Sequence, residues 1–513
     1  MMRQTHAWGA LVALALAVLV VGLDATILNV ALPTLAADLH ADTSELQWII
    51  NAYILALAGM MLPAGVLGDR YGRKRTLLTG LTVFQLGSVG AALTTSTPLL
   101  IALRAVMGIG AAVIIPIVMS MIPLMFDDQD RPKAVGAIAA SSSVGLPLGL
   151  IVGGYLLNHY PWHAIFWINL PVILFALVAV TVLVSESRAA VAPRVDVVGA
   201  VVAVLGIVAV VYGLVEAPGA GWLSTRTIAL VAGGLVLLIG FVGWQARATQ
   251  PLIDLALFRD NRFTGGTVAM ALLTFVLYGL LFTLPQYLQA VRGNDALGTG
   301  LRLSPMMAGL MVAALASKRL LAQSGATRGT VAGMLIVAVD LAALSRLSID
   351  TGMVWIGIGL TVFGLGVGMA MTSAMDAVLG ALPRAEAGAG SGVMNTVRQI
   401  AGALGVAILG SLLSSIYGRG LDGELLQRLP AGAESGVRGS IVGATQVAGQ
   451  LGLGGQELQR MAGASYTHSM SILLVVCAAA GIVAALISGV MLRGRPLPAA
   501  ADQRAQLTVA PES

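Results

Sequence analysis

Fourteen runs of about twenty apolar residues, none alternating with polar ones, constrain this chain more than any other feature. They cover approximately residues 8–32, 46–67, 76–95, 98–124, 134–158, 163–184, 197–215, 227–245, 264–289, 303–323, 329–347, 353–382, 391–417 and 469–492. In lipid only helices or closed barrels satisfy every backbone N–H and C=O. Barrel strands alternate with a period of two, and these runs do not. The expected fold class is all-α and integral to the membrane, with 14 transmembrane helices. A water-soluble fold is excluded: 10% of the 513 residues are charged, where soluble domains carry roughly 25%.

An even number of spans puts both termini on one side, and Lys and Arg decide which. With the N-terminus inside, the cytoplasmic segments hold 19 of the 29 Lys and Arg residues. The outer loops hold 8, four of them in one long loop. Both termini are expected in the cytoplasm, in a bacterial-type cytoplasmic membrane. The first run exceeds the roughly 7–15 apolar residues of a cleaved signal, so it reads as a retained span.

The runs group as six, two and six. Residues 1–184 form the first unit. Residues 185–263 hold a polar linker, SESRAAVAPRVD, two further spans and a basic connector, ARATQPLIDLALFRDNRF, whose middle suits a short interfacial amphipathic helix. Residues 264–492 form the last unit, and 493–513 a cytoplasmic tail. Within the last unit, 418–468 reads as a long Gly-rich external loop, a tolerated insertion in which ELLQRL and QELQRM each form an amphipathic turn.

Chemistry-bearing clusters are scarce. Cys477 is the single cysteine, so there is neither a disulfide nor a thiol metal site. His159 and His163 have helical spacing, but Pro161 separates them, and no metal site is expected. No nucleophile set marks an enzyme. A sensor would carry a soluble output domain, whereas about 21 residues follow Leu492. Nothing points to nucleic acid.

The strongest local signal is GVLGDRYGRKRTLL (65–78). Topology explains Arg70, Arg73, Lys74 and Arg75, but not Asp69 or the glycines. Gly65 is expected to let two helices approach closely, Gly72 to make a tight turn, and Asp69 to form a polar latch between sliding helices. ALRAVMGIGAA (102–112) and SSSVGLPLGLIVGGYLL (141–157) are the next signals. These segments resemble the major facilitator superfamily. Gly65, Leu67, Asp69, Arg70, Gly72, Arg73 and Lys74 match its loop 2–3 pattern, and Arg104, Gly108 and Gly110 its fourth-helix pattern, with Met107 where Gln is usual. Gly149, Gly153 and Gly154 match the fifth-helix antiporter pattern. Its proline position holds Leu150, and Pro147 offers a kink three residues earlier. LDATILNVALP and WHAIFWINLP resemble the fourteen-span drug–proton antiporter branch, which includes QacA-like and EmrB-like exporters. The resemblance implies two six-helix bundles around a central cavity, two inserted helices, and alternating access.

Charges within spans are costly and mark sites. Measured from Pro33 and Pro98, Asp24 and Arg104 lie at similar depths, roughly 13 and 9 Å below the outer surface. The resemblance puts both on cavity-lining helices, so they are expected to meet. Asp376 and Arg398 are expected to form a second pair in the inner third, as a structural clasp or a substrate site. Asp340 reads as mid-helix, facing a neighbouring helix or snorkelling toward Arg346. Asp24, Arg104, Asp376 and Asp340 are the candidates for proton coupling. Asn51, Tyr53, Met107, Met119 and Arg398 are the candidates for a substrate cavity; methionine suits irregular ligands.

The expected function is proton-coupled export of hydrophobic, cationic drugs or antiseptics by a monomer, without a cofactor. The alternative is export of an endogenous metabolite or self-made antibiotic on the same fold. A non-transporting sensor or a membrane enzyme is a third, more distant reading.

Overall fold

The computed structural model describes residues 4–188, 196–349, 351–383, 387–421, 423–427, 429, 433–451 and 453–492. The middle of the 185–196 linker and the 493–513 tail lie outside the described residues. Among the described residues there is no strand, and 14 helices are long and apolar enough to cross a membrane.

The first six are α1 (Ala7–Asp38), α2 (Thr43–Tyr71), α3 (Arg73–Leu93), α4 (Thr97–Met125), α5 (Arg131–His159) and α6 (Ala164–Leu183). Two follow, α7 (Val197–Ala220) and α8 (Thr225–Gln245). The next five are α9 (Asn261–Val291), α10 (Ala296–Ala316), α11 (Gly325–Leu344), α12 (Met353–Gly380) and α13 (Gly388–Arg419). Three short helices, α14 (Gly423–Gln427), α15 (Ala433–Gly439) and α16 (Ile441–Gln450), precede the last span, α17 (Gly454–Met491). The turn at Gly72 defines a basic face; the opposite one is called the far face here.

Local chemistry sets the boundaries. Asp42 and Glu45 form a reciprocal capping box that starts α2. Asp196, Ser224, Asp260 and Asp295 cap α7, α8, α9 and α10 with their side-chain oxygens. Gly72 takes φ 107°, a left-handed value only glycine adopts freely, and so separates α2 from α3.

Glycine stripes bring the helices close. A Cβ on Gly145 of α5 would lie 2.7 Å from the Leu19 carbonyl oxygen of α1, and one on Gly149 would lie 2.5 Å from that of Leu23. A Cβ on Gly364 of α12 would come within 1.9 Å of the Met306 carbonyl oxygen of α10. Such contacts replace the hydrophobic drive that lipid does not supply. The inserted pair lies beside the α2–α13 seam. Trp48 packs on Tyr212 with ring centroids 5.5 Å apart, and Trp222 Nε1 donates to Ser415 Oγ at 2.9 Å.

Three boundaries differ from the sequence reading, while the connector carries a short helix in its middle as expected. Helix α1 runs through Pro33 to Asp38, because a proline at that position removes only one donor from an otherwise supported helix. Helix α12 ends at Gly380, ahead of Pro383, and α13 begins by Gly388. The 418–468 segment is largely helical rather than a loop. Val437, Ile441, Val442, Ala444 and Ala448 are buried there, and QELQRM belongs to the first turns of α17. Its glycine content hid a helical apolar face. The 246–263 connector carries a short 3-10 helix, Leu255–Arg259, with Leu257 buried.

Candidate functional site

A cavity of about 280 Å³ lies between the two groups of six helices. One wall holds Val21, Asn29, Tyr53, Met61, Arg104 and Ser142; the other holds Tyr278, Met307, Met371, Arg398 and Gln399. The lining is mostly apolar with a few polar groups, the usual make-up of a small-molecule site.

The first wall contains a buried ion pair. Arg104 Nη1 donates to Asp24 Oδ2 at 2.7 Å, with the side chains 2% and 1% exposed. Arg104 Nε donates to the Ile49 carbonyl at 3.3 Å, and the guanidinium stacks over the Tyr53 ring at 4.3 Å. The bond to Asp24 uses one carboxylate oxygen; Oδ1 has no hydrogen-bond partner. Surrounding glycines fix this geometry. Gly149 and Gly153 hold α5 against α1 on either side of Asp24, and Gly108 lets α4 touch the Tyr53 carbonyl of α2. Gly110 does the same for α4 against α3, while Gly154 faces Ala296 and Leu297 in the other bundle. Because α1 extends to Asp38, Asp24 stands about 21 Å from that end, nearer mid-helix than the expected outer third. The pair forms because α1 overhangs α4 at the far face.

The second expected pair does not form: among the described residues no ion pair joins Asp376 to Arg398. Asp376 is about 6 Å along α12 from the basic end, and Arg398 about 15 Å along α13. Asp376 is engaged elsewhere, while Arg398 lines the cavity with its Nε unpartnered. Asp340 is not mid-helix but four residues from the end of α11. It is 7% exposed, lies beside Gly359 of α12, away from the cavity, and forms no ion pair with Arg346.

Of the other cavity candidates only Tyr53 lines the space. Met107 is wholly buried against Gly87 and Arg104, and Met119 is 37% exposed on the outside of α4. Asn51 is fully buried, with neither amide atom partnered. The methionines that do line the cavity are Met61, Met307 and Met371, on α2, α10 and α12. Pro147 lies inside α5, and the helix passes through it from Arg131 to His159.

At the basic face, Arg73 at the start of α3 donates to Asp69 near the end of α2 at 2.8 Å, across the Gly72 turn. Arg70 is exposed. Glu186, which the sequence reading did not single out, accepts from the backbone N–H groups of Lys74 and Arg75, and Lys74 Nζ donates to the Thr181 carbonyl. Gly65 makes no close approach: a Cβ there would meet nothing within 4 Å. Gly68 takes that role, against Ile117.

The far face is sealed by residues the sequence reading missed. Gln47 Nε2 of α2 donates to the Val406 and Ala407 carbonyls of α13 at 2.6 and 3.0 Å. Gly410 makes room, since a Cβ there would lie 2.4 Å from Gln47 Nε2. Gln289 of α9 donates to the Val30 carbonyl of α1 at 2.9 Å. Asn158 of α5 donates to Asp295 at 2.6 Å, and Gln446 of α16 donates to the Ala37 carbonyl at 3.2 Å. The Gly298 N–H, then Asn158, holds the Asp295 carboxyl below the usual carboxylate range. Gln47 was visible as a polar residue one turn before Asn51 in an apolar run. Its partners, being backbone carbonyls, left no mark in the sequence.

Residues 14–406 match the model of the Major Facilitator Superfamily. The chain is 33% identical over 505 residues to the tetracenomycin C resistance and export protein of Streptomyces glaucescens, covering 97% of this chain and 93% of that one. It is 33% identical over 494 residues to the multidrug efflux pump LfrA of Mycolicibacterium smegmatis, covering 95% and 97%. Among solved structures, a bacterial homologue of the human lysosomal transporter Spinster, inward-facing and unoccupied, superposes with a TM-score of 0.69 at 18% identity, over 96% of this chain and 99% of that one.

Proposed function

Since the chain belongs to the Major Facilitator Superfamily, its task is solute transport across a membrane, and we propose that it is a proton-coupled drug exporter of the fourteen-span branch. The observation that carries this reading is the buried Asp24–Arg104 pair in the wall of a cavity shared by two bundles and sealed on one face. Export of drug-like compounds rests on relatives that match over nearly their whole length and whose names specify resistance, export or efflux.

The Lys and Arg distribution assigns the basic face to the cytoplasm. The cavity then lies on the cytoplasmic side of the seal, where a compound from the cell interior enters. In this state Asp24 is ion-paired, and the inner latch holds the Asp69–Arg73 bond together with the bonds from Lys74 and Arg75 to Glu186 and from Lys74 to Thr181. Opening the far face exposes Asp24 to the outside. Coupling at Asp24 requires the Asp24–Arg104 pair to separate during the cycle. Substrate and proton drive the cycle only through different affinities for the two states. A monomeric working unit is supported by one chain supplying both cavity walls.

The test is efflux from drug-loaded right-side-out vesicles with and without an imposed pH gradient. Asp24→Asn is expected to abolish gradient-driven efflux at normal expression; full retention removes Asp24 from coupling. The second reading, export of a self-made antibiotic, is favoured by the tetracenomycin-type relative. A transport panel of unrelated drugs separates the two: a single accepted scaffold favours the antibiotic.

A further inference from the structure

Resting on the export reading above, we infer that the central cavity selects compounds carrying an anionic oxygen on an apolar ring system, with Arg398 as the anion-binding residue. Cationic substrates, expected from the sequence, need a free carboxylate or an open aromatic box. The described lining contains no carboxylate. Its charged members are Arg104 and Arg398, and Arg104 is already neutralised by Asp24 behind it.

Among the described residues Arg398 has no ion pair. The other intramembrane acids are Asp340, beside Gly359 and away from the cavity, and Asp376, engaged elsewhere toward the basic end of α12. Arg398 Nε is shielded and unbonded. A guanidinium inside a span is retained against a high cost only where something pairs with it. Here the space in front of it is the substrate space.

The neighbouring groups suit the same ligand. Gly402 stands one turn from Arg398 on α13, and the Tyr278 ring lies against it, 2.5 Å from where a Cβ would sit. Gln399, Asn29 and the Tyr278 hydroxyl add neutral donors around the cavity. Met61, Met307 and Met371 supply deformable apolar walls for a flat ring system. A planar fork fits a carboxylate, sulfonate or phenolate better than a point charge does. An anion leaving in exchange for an entering proton also moves two charges in the direction favoured by an inside-negative potential. A monovalent cation exchanged for one proton moves none.

Two dyes with one tricyclic xanthene body and opposite charge, fluorescein and rhodamine 6G, test the inference in proteoliposomes at pH 7.5. Wild-type protein is expected to move fluorescein, faster with an inside-negative potential, and Arg398→Gln to lower that rate about tenfold or more. The same variant is expected to lose proportionally more fluorescein than rhodamine 6G transport, and Arg398→Lys to restore part of fluorescein transport. A thermal unfolding midpoint of Arg398→Gln no lower than that of the wild type shows that the variant is folded. Wild-type transport of rhodamine 6G but not fluorescein, or equal loss of both dyes in Arg398→Gln, overturns the anion site and leaves export standing. Transport of neither dye, nor of any neutral drug, by the wild type overturns both readings.

Discussion

Arg104 and Arg398 face the same cavity from opposite bundles, yet among the described residues only Arg104 has an ion-pair partner. Arg104 is spanned by a carboxylate, a backbone carbonyl and an aromatic face. Every one of those partners comes from its own bundle. Arg398 finds none of this on α13, because the helix face that carries it opens on the cavity. The first arginine is built into the protein; the second is left for whatever enters. The two bundles meet at one cavity with different charge settings, one presenting a bonded carboxylate–guanidinium pair and the other a guanidinium with no ion pair among the described residues.

Stability measurements should separate the two arginines most sharply. Arg104→Gln is expected to cost about 3–5 kcal/mol, because it strands Asp24 in a buried site. The Asp24→Asn, Arg104→Gln double variant should recover most of that in thermal unfolding; additive losses would mean that the pair is not a unit. Arg398→Gln should instead be neutral or raise stability by up to about 3 kcal/mol, since it removes an unpaired charge. A drop as large as that of Arg104→Gln would erase the contrast. A smaller effect is expected at the seal that both bundles share. Gln47→Leu should shift the equilibrium toward far-face opening by about 1–2 kcal/mol, read as faster labelling of a cysteine placed at the far face. The smallest effects test what lies outside the comparison. Asp340→Asn should leave transport unchanged, because Asp340 packs beside Gly359 rather than the cavity. The Asn158–Asp295 link should be indifferent to pH between about 8 and 5.5. The Asp295 pKa is lowered in the folded protein, so its contribution is complete above the ordinary carboxylate value and is lost only as pH falls below it. Far-face labelling in wild type that rises at pH 5.5, but not in Asn158→Ala, would show the link to titrate.

Much of this molecule was legible in its apolar runs. Their length and lack of alternation gave the 14 spans, and the loop and helix motifs gave the family. Asp24 and Arg104 were legible as partners because each was the lone charge in its run. Reading depth from Pro33 and Pro383 as helix ends fails, since α1 continues and α12 stops early. That error set Asp376 level with Arg398. The methionines failed for another reason: Met119 and Met61 look alike in sequence, and only packing puts one outside and the other in the cavity. Gly65 belongs with them. Its motif implies a close approach, while here it is Gly68 that touches α4.

By itself, the sequence determined that this chain crosses a bilayer in helices, which face carries the bases, and which charges are too costly to be accidental. Hydrocarbon imposes those outcomes one segment at a time, through length, hydropathy and charge. Which charges meet was left to the tertiary structure, because a helix presents every direction and only its neighbours choose one. The fold gave Asp24 to Arg104, left Arg398 facing open space, and closed the far face with side chains bonded to backbone, whose partners no sequence motif records.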